Sequence, residues 1–231
     1  TIVRGHLELV DPTDPSDVVE TRDLAIEELD RMQRLVDEIL MLAKARRPDF
    51  VRPEPVVVAD LLAGVVDKVA TLGDRHWLVE ASTDEVVHLD PQRITQALIQ
   101  LVANALRFTD TGAVIAVGGR VYGPEVRLWV RDEGVGIAPE DQRRIFERFG
   151  RGPNPSGTEP NRSDDGAGLG LAIVEAIAVA HHGRVTLTSE VGAGSTFTLC
   201  LPTVGSATMG SATLGSPTPG SPTLGLPKET A

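Results

Sequence analysis

VRDEGVGI at residues 130–137 and DDGAGLGLAI at residues 164–173 are two glycine-rich stretches from which the rest of the chain can be interpreted. Glycine lets the backbone approach a ligand closely and adopt positive φ angles without a Cβ clash. After the second stretch, apolar residues recur at helical spacing through residues 171–177, which predicts a helix. Because free N–H groups at a helix N-terminus attract phosphate, we interpret the second stretch as a phosphate-binding loop.

The first stretch supplies a carboxylate, Asp132, directly after an alternating strand pattern. A carboxylate can accept a hydrogen bond from the exocyclic amine of a purine, so the two stretches together suit a purine and its phosphates. Each stretch alone also fits an ordinary tight turn. Asp is a common turn residue, and Gly166, Gly168 and Gly170 form GxGxG rather than the dinucleotide pattern GxGxxG. The pair, in this order and separated by a polar segment, favours nucleotide binding.

Three motifs in this region resemble those of a known family. DEGVGI (132–137), RIFERF (144–149) and GAGLGLAI (166–173) resemble the G1, F and G2 boxes of sensor histidine kinases, which belong to the GHKL ATPase superfamily. The helix predicted around Asn104 resembles the N box. The resemblance implies an α+β two-layer sandwich, the Bergerat or GHKL ATP-binding fold, with a mixed sheet and helices on one face. It also implies ATP and Mg²⁺ as cofactors.

The resemblance assigns roles residue by residue. Asn104 matches the family's magnesium ligand, and one amide oxygen is enough because Mg²⁺ keeps several water and phosphate ligands. Arg107 and Arg151 match basic residues that meet phosphate, so with Asn104 they are the candidate catalytic residues. Asp132 and Thr196 are expected at the adenine edge. The full set of candidate nucleotide contacts is Asn104, Arg107, Asp132, Gly134, Gly136, Ile137, Gly166, Gly168, Leu169, Gly170, Leu171 and Thr196.

These assignments have structural alternatives. Asn104 could be a core-satisfied Asn and Arg107 a solvated helix charge, and Ile137 and Leu171 could simply pack in the core. One position departs from the family pattern. Gln100 stands where the family often has a second Asn, so an amide remains but with a longer reach.

Residues 1–47 are expected to form part of a dimerisation and phosphotransfer hairpin. After prolines break the first helix, Ser16 or Asp17 is the expected N-cap of the second. That helix carries an apolar a/d stripe, made of Ala25, Leu29, Met32, Val36, Ile39 and Ala43. Two such helices cannot bury this stripe alone, so a dimeric four-helix bundle, and therefore a homodimer, is predicted.

Residues 1–10, TIVRGHLELV, resemble the part of the hairpin that follows the phosphorylated histidine in the family. The acceptor histidine is therefore expected upstream of Thr1. His6 is followed by Leu7 rather than an acidic residue, and Pro12 is six residues away rather than five, so His6 is interpreted as an ordinary bundle histidine. The implied partner is a response-regulator receiver domain. Membrane attachment is expected only through an upstream region, and the kinase portion is expected in the cytoplasm.

Composition argues against several classes of function. A net charge of −11 disfavours a protein that binds a nucleic acid backbone, which requires a basic face. The single cysteine, Cys200, excludes an internal disulfide and a cysteine-rich zinc site. It stands in the alternating strand pattern of Phe197, Leu199 and Leu201, which predicts a core thiol. No apolar run reaches the length of a membrane span.

The remaining chain divides by composition into a proline-containing linker, a catalytic domain and a low-complexity tail, at residues 48–55, 56–202 and 203–231. The domain is expected to open with a short strand and a helix from Asp60. Two strands, a helix with Pro91 in its first turn and two strand hairpins follow. A short helix is predicted within 139–149 and a flexible lid at 152–165. The tail repeats pentapeptides such as GSATM without charge, which predicts disorder.

Three functions fit this sequence. The first is an ATP-dependent protein-histidine kinase core, which transfers the γ-phosphoryl group to a histidine and from there to an aspartate of a response regulator. The second is another GHKL ATPase, such as a serine kinase or a chaperone-like or repair ATPase. The a/d hairpin before residue 50 argues against the second, because those proteins lack it. The third is an ATP-sensing dimerisation module without kinase activity.

Overall fold

The computed structural model describes residues 2–147 and 168–203 of the chain. The α-helices in these ranges are α1 Ile2–Leu9, α2 Pro15–Lys44, α3 Val58–Val69, α4 Pro91–Arg107 and α5 Gly170–Ala180. The strands are β1 Glu54–Val57, β2 His76–Ala81, β3 Val86–Leu89, β4 Val114–Tyr122, β5 Glu125–Asp132, β6 Arg184–Glu190 and β7 Gly194–Pro202. The predicted lid, the tail from residue 204, and the candidates Arg151 and Gly166 lie outside the described residues. None of the helices described is both long and apolar enough to span a bilayer.

The strands form one large and one small sheet. β2, β4, β5, β7 and β6 lie side by side in that order, and β1 pairs separately with β3. The β2–β4 pair is parallel and the other pairs of the large sheet are antiparallel. The sheet is therefore mixed, as predicted, and β4–β5 and β6–β7 are the two predicted hairpins.

One face of the large sheet is apolar and lies under the helices. On β5 and β7 this face is formed by side chains that are at most 2% exposed: Val126, Leu128, Val130, Phe197, Leu199 and Leu201. Val58 and Leu62 of α3 lie over Gly119 on the same face, and α4 and α5 contribute buried residues to the same cluster. This two-layer α+β architecture confirms the predicted fold class.

Cys200 is buried, but it does not belong to the core under the helices. Successive strand residues point to opposite faces, so Cys200 lies on the open face of the sheet, between Leu199 and Leu201. Its Sγ is 3.9 Å from Oγ1 of Thr186, a neighbour on that face. The predicted burial of the thiol is therefore confirmed, and the structure adds that it lies on the open face of the sheet.

The N-cap of α2 is Asp14 rather than Ser16 or Asp17. Its Oδ1 accepts a hydrogen bond from the N–H of Ser16 at 2.9 Å. Because its fixed φ suits the first helical position, Pro15 moves the cap to the residue before it. Asp17 lies inside the helix and accepts from the N–H of Asp11 at 2.6 Å.

The apolar stripe of α2 is exposed along its middle, whereas the neighbouring residues Met41 and Leu42 are buried. Its middle residues are 43–58% exposed: Leu29, Met32, Val36 and Ile39. Near the end of the helix, Met41 and Leu42 are buried in the cluster that contains the helix-covered sheet face. The C-terminal end of the hairpin therefore packs on the catalytic domain, while the middle of the stripe is left uncovered by the described residues.

Two predicted boundaries differ from the structure. β1 begins at Glu54, inside the predicted linker, and α3 begins at Val58 rather than Asp60. Phe50 is 6% exposed and lies 4.4 Å from the guanidinium of Arg93, so this segment is packed. The strand is held by antiparallel pairing with β3, a contact distant in sequence, and prolines are tolerated on such edge strands.

Within residues 139–147, the described part of the helix predicted for 139–149, the helical segment is the 3₁₀ turn Arg144–Phe146. The backbone N–H groups of Asp141 and Ile145 each bond a carbonyl three or four residues earlier, so the segment is a series of turns. Short helices are marginal without packing on more than one turn. The Gln142 side chain also donates hydrogen bonds to the backbone carbonyls of Ile137 and Ser189. These bonds favour an irregular backbone over a helix.

Candidate functional site

Asp132 ends β5 with its side chain on the helix-covered side of the sheet, in line with Val130. The residue is only 5% exposed. Its Oδ1 accepts hydrogen bonds from the backbone N–H groups of Gly134 at 2.9 Å and Ser195 at 3.2 Å. No donor to Oδ2 occurs among the described residues. The carboxylate is therefore fixed by one oxygen and offers the other to a ligand.

The protonation equilibrium of Asp132 reflects this burial. Desolvation raises the pKa of its carboxyl above the ordinary value, while the hydrogen bonds from Gly134 and Ser195 and the charge of Arg131 oppose the rise. Burial disfavours the charged form because water is excluded. A ligand amine that donates to the free oxygen would restore part of that lost solvation.

Gly134 and Gly136 stand where other backbone segments approach closely. A Cβ at Gly134 would clash with the carbonyl oxygen of Phe108, and one at Gly136, where φ is +69°, would clash with the carbonyl oxygen of Glu190. Glycine is therefore required at both positions by packing alone. The turn after Asp132 is held between the end of α4 and the β6–β7 turn.

A row of polar side chains extends from Asp132 across three strands. In the register of the sheet, Asp132 lies beside Ser195, and Ser195 lies beside Ser189. The Oγ atoms of the two serines are 2.9 Å apart, and Ser189 also accepts from the N–H of Ile137 at 2.8 Å. The motif comparison misses both serines. Strand alternation could have identified Ser195, because it shares a face with the core residue Phe197.

Thr196, predicted at the adenine edge, lies on the opposite face of β7. It pairs with Arg131 and Thr188, and its side chain lines the open face of the sheet. Because neighbouring strand residues alternate between faces, Thr196 and Asp132 do not present their side chains to the same ligand. The structure does not bring Thr196 into the site; its neighbour Ser195 faces it instead.

Asn104 and Arg107 lie in the last two turns of α4, whose end contacts the turn after Asp132. The N–H of Val135 bonds the carbonyl of Phe108 at 3.3 Å, which holds the two segments together. The Asn104 side chain is half-buried and has no hydrogen-bond partner within the described part of the chain. Arg107 is exposed, with its guanidinium carbon 5.5 Å from the centre of the Phe108 ring. The described residues therefore do not satisfy the hydrogen-bonding capacity of the Asn104 amide.

The start of α5 contains the described part of the second glycine stretch. Gly168 adopts a φ of +69°, and Leu169 precedes the helix without a side-chain capping bond. Leu169 is 2% exposed and packs in the core, so only its backbone can meet a ligand. Leu171 and Ile137 are half-buried at the edge of that core.

Gln100 connects α5 to the hairpin. A Cβ at Gly170 would lie 2.8 Å from Oε1 of Gln100, so the amide packs directly on the first residue of α5. The Gln100 amide also lies near the carboxylate of Glu38 on α2 and favours its ionised form. Burial raises the pKa of Glu38, and the Gln100 amide and the charge of Arg34 partly offset that rise.

Three features of this arrangement fit a purine triphosphate with a divalent cation. The free oxygen of Asp132 suits an exocyclic amine, and the first turn of α5 suits phosphate. The uncommitted amide of Asn104 suits Mg²⁺, which takes few protein oxygens. The Thr196 side chain, by contrast, lies on the opposite face of the sheet from Asp132.

The family model described as histidine kinase-, DNA gyrase B- and HSP90-like ATPase matches residues 89–205. The chain belongs to this ATPase family. The sensor-like histidine kinase SenX3 of Mycobacterium tuberculosis is 41% identical over 130 residues, which are 54% of this chain and 31% of that protein. The sensor histidine kinase CusS of Escherichia coli K12 is 37% identical over 180 residues, 77% of this chain and 36% of that protein. The predicted sensor histidine kinase catalytic domain is thereby confirmed.

Solved histidine kinases share the fold of this catalytic domain. ShkA, solved at full length in complex with AMPPNP, is 27% identical with a TM-score of 0.68, and the match covers 88% of this chain and 42% of ShkA. Acinetobacter baumannii AdeS is 23% identical with a TM-score of 0.65, covering 87% and 93% of the two chains. The chain spans about a third of the length of the two curated relatives, SenX3 and CusS.

Proposed function

We propose that this chain is the ATP-binding kinase core of a sensor histidine kinase. It transfers the γ-phosphoryl group of ATP to a histidine on a dimerisation hairpin, and the phosphoryl group then passes to an aspartate of a response regulator. The observation that carries the proposal is the geometry at Asp132. A buried carboxylate, fixed by two backbone N–H groups, stands beside the end of α4 that bears Asn104. The hairpin α1–α2 favours a kinase over other ATPases of the family.

The chain contributes positioning and charge, because phosphoryl transfer asks for little covalent chemistry from the protein. ATP would supply the phosphoryl group, and Mg²⁺ would neutralise charge on its phosphates. Asp132 would hold the adenine amine through Oδ2, and Asn104 would hold the metal through its amide oxygen. Arg107 and Arg151 would approach the phosphates with planar guanidinium groups that suit oxyanions. The first N–H groups of α5 would contact the phosphates on the other side.

The proposal includes two partners. A second copy of the chain would cover the uncovered stripe of α2, completing a four-helix bundle. A receiver domain would take the phosphoryl group from the histidine. A cytoplasmic location follows for this portion of the protein, because ATP and receiver domains are found there.

The proposal is tested by offering the chain labelled ATP and a separate hairpin that carries an intact histidine motif. The expected result is acid-labile, base-stable label on the added hairpin, at a low rate because docking is bimolecular, and loss of that label in Asn104→Ala. ATP hydrolysis without label on the hairpin would favour another ATPase of the family. Label on the chain itself that disappears in His6→Ala would make His6 an acceptor.

A further inference from the structure

The strand β6 contributes a residue whose effect on nucleotide choice passes through a neighbour. We propose that Ser189 is a positioning residue that makes Ser195 an acceptor-only group at the purine end of the site. Ser189 thereby increases the preference for a 6-amino purine over a 6-oxo purine. This inference rests on the proposed ATP-binding function, and the experiment below separates the failure of one from the failure of the other.

The directions of the hydrogen bonds around Ser189 follow from counting protons. A serine hydroxyl has one proton to donate and two lone pairs. The carbonyl of Gly194, 2.9 Å from Oγ of Ser189, can only accept, so the proton of Ser189 points there. The backbone N–H of Ile137, at 2.8 Å, can only donate to Ser189. Either oxygen could donate in the 2.9 Å contact between the two serine Oγ atoms, and because the proton of Ser189 is used by Gly194, we assign the donated proton to Ser195.

Ser195 consequently faces the site with lone pairs only. Its proton is directed across the sheet to Ser189, away from Asp132, which is its neighbour on the other side in the register. The Asp132 carboxylate, when ionised, is also an acceptor, and Oδ2 is its uncommitted oxygen. Two acceptors thus stand next to each other on one face of the sheet, and Ser195 is only 6% exposed.

This arrangement distinguishes purines by the group at position 6. An amine brings two N–H donors to the two acceptors. A 6-oxo group has only lone pairs and cannot donate to either acceptor. Leaving a buried acceptor without a hydrogen bond weakens binding. Ser189 lies on the far side of Ser195 from Asp132, so its influence on the ligand passes through the orientation of the Ser195 hydroxyl.

Gln142 holds the strand end that carries Ser189. Its side-chain amide donates to the backbone carbonyls of Ser189 at 3.2 Å and Ile137 at 3.1 Å. The Ser189 hydroxyl is therefore fixed against the turn after Asp132 by its own bond from Ile137 and by this second bridge. The direction of the Ser195 proton stays fixed only if the Ser189 hydroxyl that accepts it is held rigidly.

The test is competition binding with ATP, ITP and purine riboside triphosphate, which has only hydrogen at position 6. In Ser189→Ala the Ser195 proton is released and can be donated to the 6-oxo group. The ATP-to-ITP affinity ratio is then expected to fall by roughly three-fold to ten-fold, since one hydrogen bond changes direction. Absolute ITP binding should tighten, while purine riboside triphosphate should change by less than about two-fold. Ser189→Thr keeps the hydroxyl and should keep the wild-type ratio.

Ser195→Ala provides a second measurement that leaves in place the bond that Ser189 accepts from Ile137 and the bond that it donates to Gly194. It removes the acceptor, so the ATP-to-ITP ratio should fall without any gain in ITP binding. An unchanged ratio in a folded Ser189→Ala chain overturns the inference. If that variant does not fold, an unchanged ratio in Ser195→Ala overturns it equally. A wild-type chain that binds none of the three nucleotides would instead overturn the proposed function.

Discussion

The backbone N–H of Asp90 donates to Nε2 of His181 at 3.1 Å, although the two residues are 91 positions apart. Asp90 also caps α4 by accepting from the N–H of Arg93 at 3.0 Å, and it accepts from the N–H of Arg52 at 2.9 Å. Nδ1 of His181 is 2.8 Å from the carbonyl of Ile177, so Nδ1 carries the proton and Nε2 accepts. The contact joins the start of α4 to the end of α5, the two helices whose opposite ends form the candidate site.

This contact predicts a loss of stability at mildly acidic pH. Burial lowers the pKa of His181, and the bond to Ile177 and the charge of Asp90 only partly oppose the change. The folded state therefore binds the proton less readily than the unfolded state, whose pKa is about 6.5. The stability that neutral His181 contributes is intact above about pH 6.5 and falls as the pH drops toward the folded pKa. The slope from this group is at most about 1.4 kcal/mol per pH unit.

Urea unfolding at pH values between about 8 and about 5 measures this effect. His181→Gln removes the titrating ring and should flatten the pH dependence of the unfolding free energy. His182→Asn is the matched control, because His182 is exposed with a φ of +59°, a conformation that Asn tolerates. It should keep the wild-type slope. A His181→Gln chain with the same slope as the wild type would contradict the prediction.

Asp132 is expected to select adenine over guanine. Its free oxygen accepts from the adenine amine but meets the guanine carbonyl as a second acceptor, and an unpaired buried acceptor costs about 1–3 kcal/mol. ATP should therefore bind roughly ten-fold or more tightly than GTP. Asp132→Asn can donate as well as accept and should reduce this preference. Glu133→Gln, which neutralises the exposed neighbour, should leave it unchanged. Equal inhibition by ATP and GTP in a fluorescent-nucleotide competition would exclude the role.

Asn104 is expected to couple nucleotide binding to Mg²⁺. Its amide has no partner among the described residues, and removing the oxygen ligand should weaken the binding of Mg·ATP by roughly ten-fold or more. Calorimetry with and without a chelator is decisive. Wild-type affinity should drop when Mg²⁺ is removed, whereas Asn104→Ala should be insensitive to the chelator. Asn104→Asp retains an oxygen and should retain metal dependence. Unchanged affinity for Mg·ATP in Asn104→Ala would exclude this assignment.

The motifs and periodicity of the sequence predict the sheet, the hairpins and the helix over Pro91–Arg107, because these depend on local alternation and capping. The placement of Thr196 shows what motif matching leaves open. The match puts Thr196 in the site, but it does not determine which alternate residues of β7 face the helices. The buried side chain of Phe197 shows that the odd-numbered residues do, so Thr196 lies on the open face. Alternation from Phe197 would have identified Ser195.

Other features depend on contacts that no local pattern contains. The bond between Asp90 and His181, the pairing of β1 with β3, and the position of Ser189 beside Ser195 all join segments distant in sequence. Taken one at a time, these residues belong to no sequence pattern that predicts the contact. Long-range register is fixed by the packing of a whole face, so these contacts appear only once the sheet is assembled.

The uncovered stripe of α2 predicts a homodimer. Leu29 and Ile39 are 58% and 53% exposed, so charged residues there should disrupt association without unfolding the chain. Sedimentation equilibrium should show concentration-dependent dimers for the wild type. Leu29→Glu/Ile39→Glu should weaken dimerisation by roughly a hundred-fold or more, because two apolar contacts per chain are lost. Gln33→Glu adds a charge on the exposed polar side of the same helix and should leave the dimer intact. A wild-type monomer at high concentration would contradict the prediction.

Glu38 is expected to oppose folding when it is ionised. Because burial raises its pKa, the folded state holds the proton more tightly than the unfolded state. The stabilisation from this group is present at low pH and is lost as the pH rises through the folded pKa. At about pH 7, Glu38→Gln should therefore be more stable than the wild type, by less than about 1 kcal/mol because the side chain is half exposed.

The difference should disappear near pH 4, close to the ordinary pKa of Glu. Glu27→Gln is the matched control, because it removes the same charge from an exposed position of α2 and should change stability little at either pH. Urea unfolding at equal protein concentration measures all three chains. A Glu38→Gln chain that is less stable at neutral pH would mean that the interaction with the Gln100 amide outweighs desolvation. In that case the ionised carboxylate of Glu38, together with the Gln100 amide, would hold the hairpin on α4 beside the first turn of α5.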